Sequence, residues 1–388
     1  MNYKPIDLIA SNVQALIDRE GLERKLASGR RLRIKLGVDP TRPDLTFGHL
    51  VVFNKLRQFQ DLGHTAIFLI GDFTTTIGDP SGRSDTRPIL TPDEIAQNAK
   101  TYLDQAFKVL DLEQTEVRYN SEWYRAMSLA DLLQLAREMT VAQLIERDDF
   151  AKRYREKTPI SLVEFLYPLI QGYDSVMLRA DLEMGGSDQL FNMLVARALQ
   201  KNRGMEEQAV LCMPLLVGLD GNRKMSKSFG NYISFNDSAR DMFGKIMSIP
   251  DEIMTAYRRL LLCESEEAIG RMSQMHPMEA KKDLAGRLVA RFYGNDAAVG
   301  EREEFERVFS RNELPAEMAE IVLSTDRTSL LDALALSGAF RGRNEIRRLL
   351  EQGAVRVNNE RILDPEYALS AGQGLVIQVG KKQFFSVK

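Results

Sequence analysis

The chain has 388 residues, room for two or three domains, and its 44% hydrophobic and 28% charged content with a net charge of −3 is ordinary for a water-soluble globular protein. No apolar run approaches the ~18 residues of a bilayer span, and Met1–Asp7 lacks the apolar core of a secretory leader, so a cytoplasmic protein with no membrane partner is expected. Two cysteines, Cys212 and Cys263, and three histidines, His49, His64 and His276, argue against a disulfide framework and against a Cys- or His-rich metal centre.

The first clear element is a strand, in which Leu32, Ile34, Leu36 and Val38 alternate with Arg33, Lys35 and Gly37. Asp39–Asp44 contains two prolines and reads as a turn. A helix carrying Leu50, Val51, Phe53, Leu56 and Phe59 opens near Gly48, and Thr65–Ile70 is a second strand. A right-handed crossover makes this a parallel βαβ unit, and such sheets bind ligands at strand C-termini and helix N-termini. Gly48 has no side chain, so a purine could lie against the helix start. His49, in the first helical turn, could donate a proton-bearing nitrogen to phosphate oxygens as charge grows on them, or could be a structural capping histidine.

Thr74–Arg87 is a Gly/Ser/Thr-rich loop containing Gly78-Asp79-Pro80-Ser81-Gly82. Helical patterns follow over Pro92–Leu110, Leu129–Arg137 and about Ser161–Arg179. On the last of these, Tyr167, Gln171 and Asp174 fall at i, i+4 and i+7 and share a face. A buried face of phenol, amide and carboxylate is costly unless it meets a polar ligand or neighbouring loops. A short strand, Leu182–Met184, leads into Gly185-Gly186-Ser187-Asp188-Gln189 and a further helix, and another strand covers Ala209–Leu216. Next comes Lys224-Met225-Ser226-Lys227-Ser228, two lysines three apart with hydroxyls beside them. That is a mobile cationic loop suited to a pyrophosphate, or else a solvated turn.

From Asp237 to about Leu323 the patterns are helical, broken at Pro250, Pro277 and Pro315, and Thr325–Arg327 reads as a linker. Two short helices, Ser329–Leu336 and Arg343–Glu351, precede strands at Val355–Val357, Leu375–Val379 and Phe384–Phe385, with Asn358-Asn359 as a hairpin turn. Residues 326–388 hold ten Lys and Arg against seven Asp and Glu, a basic tail on an acidic body. The expected division is therefore 1–230, 231–324 and 325–388.

Thr46-Phe47-Gly48-His49 followed by Lys224-Met225-Ser226-Lys227-Ser228 is similar to the two signature motifs of class I aminoacyl-tRNA synthetases, with Thr46 standing where the family usually has His. Tyr167-Pro168-Leu169-Ile170-Gln171-Gly172-Tyr173-Asp174, Gly185–Gln189 and Gly78–Gly82 narrow the resemblance to tyrosyl-tRNA synthetases, and the tail resembles an S4-type RNA-binding domain. The resemblance runs over essentially the whole chain. It implies an α/β Rossmann-like catalytic domain, an α-helical anticodon-side domain and a small α+β S4-like domain. It implies a homodimer and a tyrosine–tRNA ligase that uses ATP, L-tyrosine and tRNA(Tyr), with Mg²⁺ arriving on the ATP and no tightly bound cofactor.

By the same resemblance Thr41, Thr46, His49, Lys224 and Lys227 are catalytic. Gly37, Asp39, Gly48, Gly186, Asp188, Met225, Ser228, Arg83 and Arg87 bind ATP. Lys35, Thr74, Asp79, Tyr167, Gln171, Asp174 and Gln189 surround the tyrosine. Arg341, Arg343, Arg347, Arg348 and Arg356 meet RNA. Asp174 would accept the substrate phenol's hydrogen bond, and a phenylalanine would leave it desolvated and unpaired. Tyrosyl-tRNA synthetases are themselves the usual illustration of such rejection. Many members have Tyr where this chain has Lys35, which contacts substrate, pairs with a nearby carboxylate, or points elsewhere as a strand residue with a snorkelling chain. Two other readings are a tryptophan ligase, disfavoured by Asp174 with Gln171, and a catalytically silent RNA-binding relative, favoured by Thr46 alone.

Overall fold

Alternating apolar residues at 32–38 and the apolar run at 65–70 place two parallel strands at the centre of a six-stranded sheet, β1 (Ala15–Ile17), β2 (Arg33–Val38), β3 (Thr65–Ile70), β4 (Thr115–Tyr119), β5 (Leu182–Gly186) and β6 (Ala209–Met213). The computed structural model describes residues 4–79, 90–310, 314, 318–323, 328–370, 374–380 and 383–388. They divide into two compact units, Met1–Ala298 and Val299–Lys388.

The first unit holds this sheet in the order β1-β6-β5-β2-β3-β4. All pairs are parallel except β1 with β6. Strands β2, β3 and β4 advance in one direction, and the chain then crosses back to lay β5 on the other side of β2. The β2/β5 junction is thus the point where the strand order reverses, where side loops diverge and leave a crevice. Ile34, Leu36, Ile67, Phe68, Leu69, Leu182, Val210 and Leu211 are buried in the sheet's core. Helix Phe47–Asp61 packs Leu50, Phe53 and Phe59 inward, and helix Leu162–Leu178 lies along helix Leu190–Asn202. The helices between Ala239 and Tyr293 are tied to this body. Asn54 Nδ2 donates to the Leu260 and Leu261 carbonyls at 2.9 Å each, and Arg291 Nη2 donates to Asn54 Oδ1 at 2.7 Å.

The second unit has a five-stranded sheet ordered β10-β9-β12-β13-β7 and a two-stranded pair. Its strands are β7 (Ala319–Ile321), β8 (Thr328–Ser329), β9 (Val355–Val357), β10 (Glu360–Arg361), β11 (Ala368–Leu369), β12 (Leu375–Val379) and β13 (Gln383–Val387). Helices Leu330–Leu336 and Arg343–Glu351 close the core with Leu330, Leu334, Ile346 and Leu350 against Val355, Ile377 and Phe385. Asn358 and Asn359 both adopt positive φ, 47° and 69°, as a tight hairpin turn requires. Ala319–Ile321, expected at the end of the helical stretch, is instead a strand parallel to β13. Ile321 and Leu323 are buried in this unit's core, and Lys388 exchanges backbone hydrogen bonds with both.

Candidate active site

A cleft of about 800 Å³ opens at the C-terminal ends of β2 and β5. Every residue singled out above for ATP or tyrosine lines it, apart from Arg83 and Arg87, which lie outside the described residues. The turn after β2 and the Lys224–Ser228 run meet there because the chain beyond the run returns to the turn. Phe47 donates its amide to the Ile233 carbonyl at 3.0 Å and Phe235 to the Leu45 carbonyl at 3.0 Å, with Thr46 and Ser234 bridged between them.

At the end of the cleft beside the Lys224–Ser228 run, Thr46 caps helix Phe47–Asp61 and is buried. Its amide donates to His49 Nδ1 at 3.1 Å, and its hydroxyl lies 3.1 Å from the same nitrogen. An Nδ1 that accepts leaves the ring proton on Nε2. Burial, and then the charge of Lys227, lower the His49 pKa to about 4, so the imidazole is a neutral donor at pH 7. Lys227 donates to the Asp44 carbonyl, and burial lowers its pKa to about 8 against the pull of Asp44. Lys224 Nζ lies 3.1 Å from Asp188 Oδ2. The run is braced by Met225 N to the Leu216 carbonyl at 2.7 Å and Ser226 N to Asn231 Oδ1 at 2.9 Å. A Cβ on Gly186 would stand 2.6 Å from Asp188 Oδ1, so a larger residue there would displace the Asp188 carboxylate.

At the other end, Asp174 is 2% exposed. Burial raises its carboxyl pKa to about 7, moderated by the charge of Lys35 and by hydrogen bonds from Tyr124, Trp123 and Asn120. Trp123 Nε1 donates to Asp174 Oδ1 at 2.9 Å, and Asn120 Nδ2 reaches Oδ2 at 3.4 Å. Asp174 is thus already partnered by the protein. The expectation that phenylalanine would leave it unpaired is corrected: Trp123 and Asn120 pair with the carboxyl with no ligand present. From Asp174 a polar chain runs through Asn120 Nδ2 to Thr74 Oγ1 at 3.0 Å, Thr74 to Asp39 Oδ1 at 2.8 Å, and Tyr167 Oη to Asp39 Oδ2 at 2.8 Å. Gln189 Nε2 donates to Asp79 Oδ2 at 2.8 Å.

Lys35 pairs with a carboxylate. Its Nζ lies 2.9 Å from Glu183 Oε1, 2.9 Å from Ser175 Oγ and 3.0 Å from the Gln171 carbonyl. Gln208 Nε2 completes the arrangement at 2.7 Å from Glu183 Oε2. Sequence reasoning missed Glu183, Asn120 and Trp123. Trp123 is the chain's single tryptophan, a signal that could have drawn attention to it. Among the described residues no group of three or more His, Cys, Asp or Glu could hold a metal ion.

In the second unit Arg341, Arg343, Arg347, Arg348 and Arg356 are all exposed. Arg343 and Arg347 are one helical turn apart, Arg343 Nη2 lies 2.6 Å from Asp332 Oδ1, and Arg356 is the register partner of Arg361.

Residues 27–310 match the family model described as "tRNA synthetases class I (W and Y)", and residues 330–375 match the S4 domain. The chain belongs to the class I tRNA synthetases of the tryptophan and tyrosine family. This synthetase is 51% identical to the tyrosine–tRNA ligase of Oleidesulfovibrio alaskensis over 375 residues, covering 95% of this chain and 94% of that one. It is 47% identical to the tyrosine–tRNA ligase of Thermotoga maritima, covering 98% and 96%. Its fold is that of solved tyrosyl-tRNA synthetases. The Archaeoglobus fulgidus enzyme, solved with L-tyrosine, has a TM-score of 0.63 at 24% identity, covering 77% of this chain and 98% of that one. The truncated Aspergillus nidulans mitochondrial enzyme has a TM-score of 0.66 at 21% identity, covering 79% and 95%.

Proposed function

We propose that this synthetase is a tyrosine–tRNA ligase. It joins L-tyrosine to ATP as tyrosyl-adenylate, releasing pyrophosphate, and then transfers the tyrosyl group to the terminal ribose of tRNA(Tyr). The observation that carries this reading is a single cleft with Asp174 at one end and the Lys224–Lys227 run facing the Thr41–His49 turn at the other. The tyrosine–tRNA ligases that match nearly the whole chain support it.

The chemistry asks for positioning and charge stabilisation rather than proton transfer. The tyrosine carboxylate is already a nucleophile. Its oxygen bonds to the α-phosphorus as the bond to the pyrophosphate oxygen breaks. Lys224, Lys227, the Nε2–H of His49 and the hydroxyls of Thr41 and Thr46 take the charge that accumulates on the phosphate oxygens. Arg83 and Arg87 are assigned to the same end from sequence. Gly37, Gly48, Met225 and Ser228 shape the nucleotide's bed, with Gly186 and Asp188 at the ribose and Asp39 between nucleotide and amino acid. Mg²⁺ accompanies the ATP phosphates. Asp174 accepts from the phenol, while Tyr167, Gln171, Asp79 and Gln189, with Thr74 behind them, hold the α-ammonium. Lys35 acts from beneath, through Glu183 and through its charge on Asp174.

The helices of 239–293 are assigned to the anticodon side, and the sheet-containing unit that holds β7 to β13 is assigned to gripping the tRNA. Arg356 and Arg361 are register partners on the β9–β10 hairpin, so two cations are carried at the same place on it, where they would attract a phosphate backbone. A homodimer is inferred from the family resemblance, with the exposed apolar side chains Leu129, Leu133, Val141 and Leu162, at 73, 57, 61 and 80% exposure, available for its contacts. Both cysteines are free thiols, in keeping with a reducing cytoplasm. ATP–pyrophosphate exchange with each of the twenty amino acids tests the reading. Exchange with tyrosine alone is expected, and exchange with tryptophan alone, or with none, overturns it.

A further inference from the structure

Beside the amino-acid end of the cleft, Asn192 sits in helix Leu190–Asn202 and is 1% exposed. Its Nδ2 donates to Gln171 Oε1 at 2.9 Å and to Gln189 Oε1 at 3.1 Å. Its Oδ1 accepts from Arg147 Nη1 at 3.2 Å. Arg147 is 6% exposed, lies between helices Val141–Ile145 and Asp148–Arg155, and is fixed by Asp149 at 2.7 Å and by the Phe150 ring 4.9 Å below its guanidinium.

A guanidinium donates only and keeps its proton. That rule propagates through three amides, each of which has one accepting and one donating end. Arg147 obliges Asn192 to turn its oxygen outward, which turns its NH₂ toward both glutamines. Both glutamines then face Asn192 with their oxygens, and their NH₂ groups go to carboxylates, Gln189 to Asp79 at 2.8 Å and Gln171 to Glu183 at 3.3 Å.

We infer that Asn192, locked by Arg147, is a positioning residue that sets the amide orientation of Gln171 and Gln189 for the substrate's α-ammonium. Each glutamine oxygen keeps a second lone pair for that cation beside the Asp79 carboxylate. The reversed amides would present NH₂ groups to a cation. The inference rests on the tyrosine reading above and adds two residues that touch no substrate.

The test is equilibrium binding of two probes to the full chain, L-tyrosine and 3-(4-hydroxyphenyl)propionate, which keeps the phenol and carboxylate but has no ammonium. Asn192→Leu should weaken tyrosine by ~10-fold or more, the scale of a hydrogen bond to a charged group, while the propionate changes by less than about twofold. Asn192→Ala carries the same test where the leucine variant fails to fold. Equal weakening of both probes would show a merely structural role and overturn the inference, as would unchanged tyrosine binding. Wild-type chain that binds no tyrosine would instead overturn the functional reading, and that result is visible before any variant is made.

Discussion

Lys35 and Glu183 are register partners on the neighbouring parallel strands β2 and β5, 2.9 Å apart, with side chains 0% and 2% exposed. Two charges removed from water persist only where their remaining bonding capacity is filled, and Ser175, Gln171 and Gln208 fill it here. Removing one partner leaves the other charged and buried. Lys35→Met should therefore cost ~3–5 kcal/mol in denaturant unfolding, and the double variant Lys35→Met/Glu183→Met should recover much of that loss. Additive losses would show that the pair does not act as a unit.

Asp174 gives a signed pH dependence. Its carboxyl ionises near 7 in the fold, against an ordinary value of 3.8. A raised carboxylate pKa means that the unfolded chain releases its proton first as pH rises. The fold thus loses stability between pH 4 and 7, by up to ~4 kcal/mol once that window is passed. Asp174→Asn, which cannot ionise, should gain stability relative to wild type as pH rises from 4 to 7.5. Parallel melting curves for the two proteins across that range would refute a buried, raised carboxyl.

Lys227 should limit the reaction on the alkaline side. Its pKa of about 8 means that the free enzyme loses this cation as pH passes 8. kcat/KM for ATP in pyrophosphate exchange should fall above pH 8, and Lys227→Arg should move that limb upward. Lys227→Met should lower exchange by ~10²-fold, the usual cost of losing one preorganised transition-state donor.

The tail arginines should affect charging without affecting activation. Replacing Arg343, Arg347 and Arg356 by Gln should raise KM for tRNA and flatten its salt dependence, because fewer phosphate counterions are released. Tyrosine-dependent exchange should stay unchanged. Equal loss in both assays would contradict the assignment of RNA contacts to this unit.

What the sequence made legible follows the strength of local patterning. The stretch 32–38, the apolar run of 65–70 and the helix from 47 to 61 were readable because their apolar residues are dense and regular: the two central strands are buried on both faces, and the helix buries one. β4 was missed because Thr115–Tyr119 carries Glu116 and Arg118 on a partly exposed edge, with no apolar period to mark it. β1 and β7 have three residues each and exist through long-range pairing alone. In the site, motif residues at fixed spacings were visible, whereas Glu183 was not. A charged residue in a short strand reads as solvent-facing until the fold sets Lys35 opposite it. Asn120, Trp123 and Asn192 were hidden for the same reason, since their roles come from partners distant in sequence.

The central claim is that the buried Asp174 selects the amino acid. The most direct test is ATP–pyrophosphate exchange by Asp174→Ala with tyrosine and with phenylalanine. The tyrosine-over-phenylalanine ratio of kcat/KM should collapse through the loss of tyrosine-dependent exchange, while a melting curve shows an intact fold. Near-normal tyrosine activation by that variant would contradict the claim.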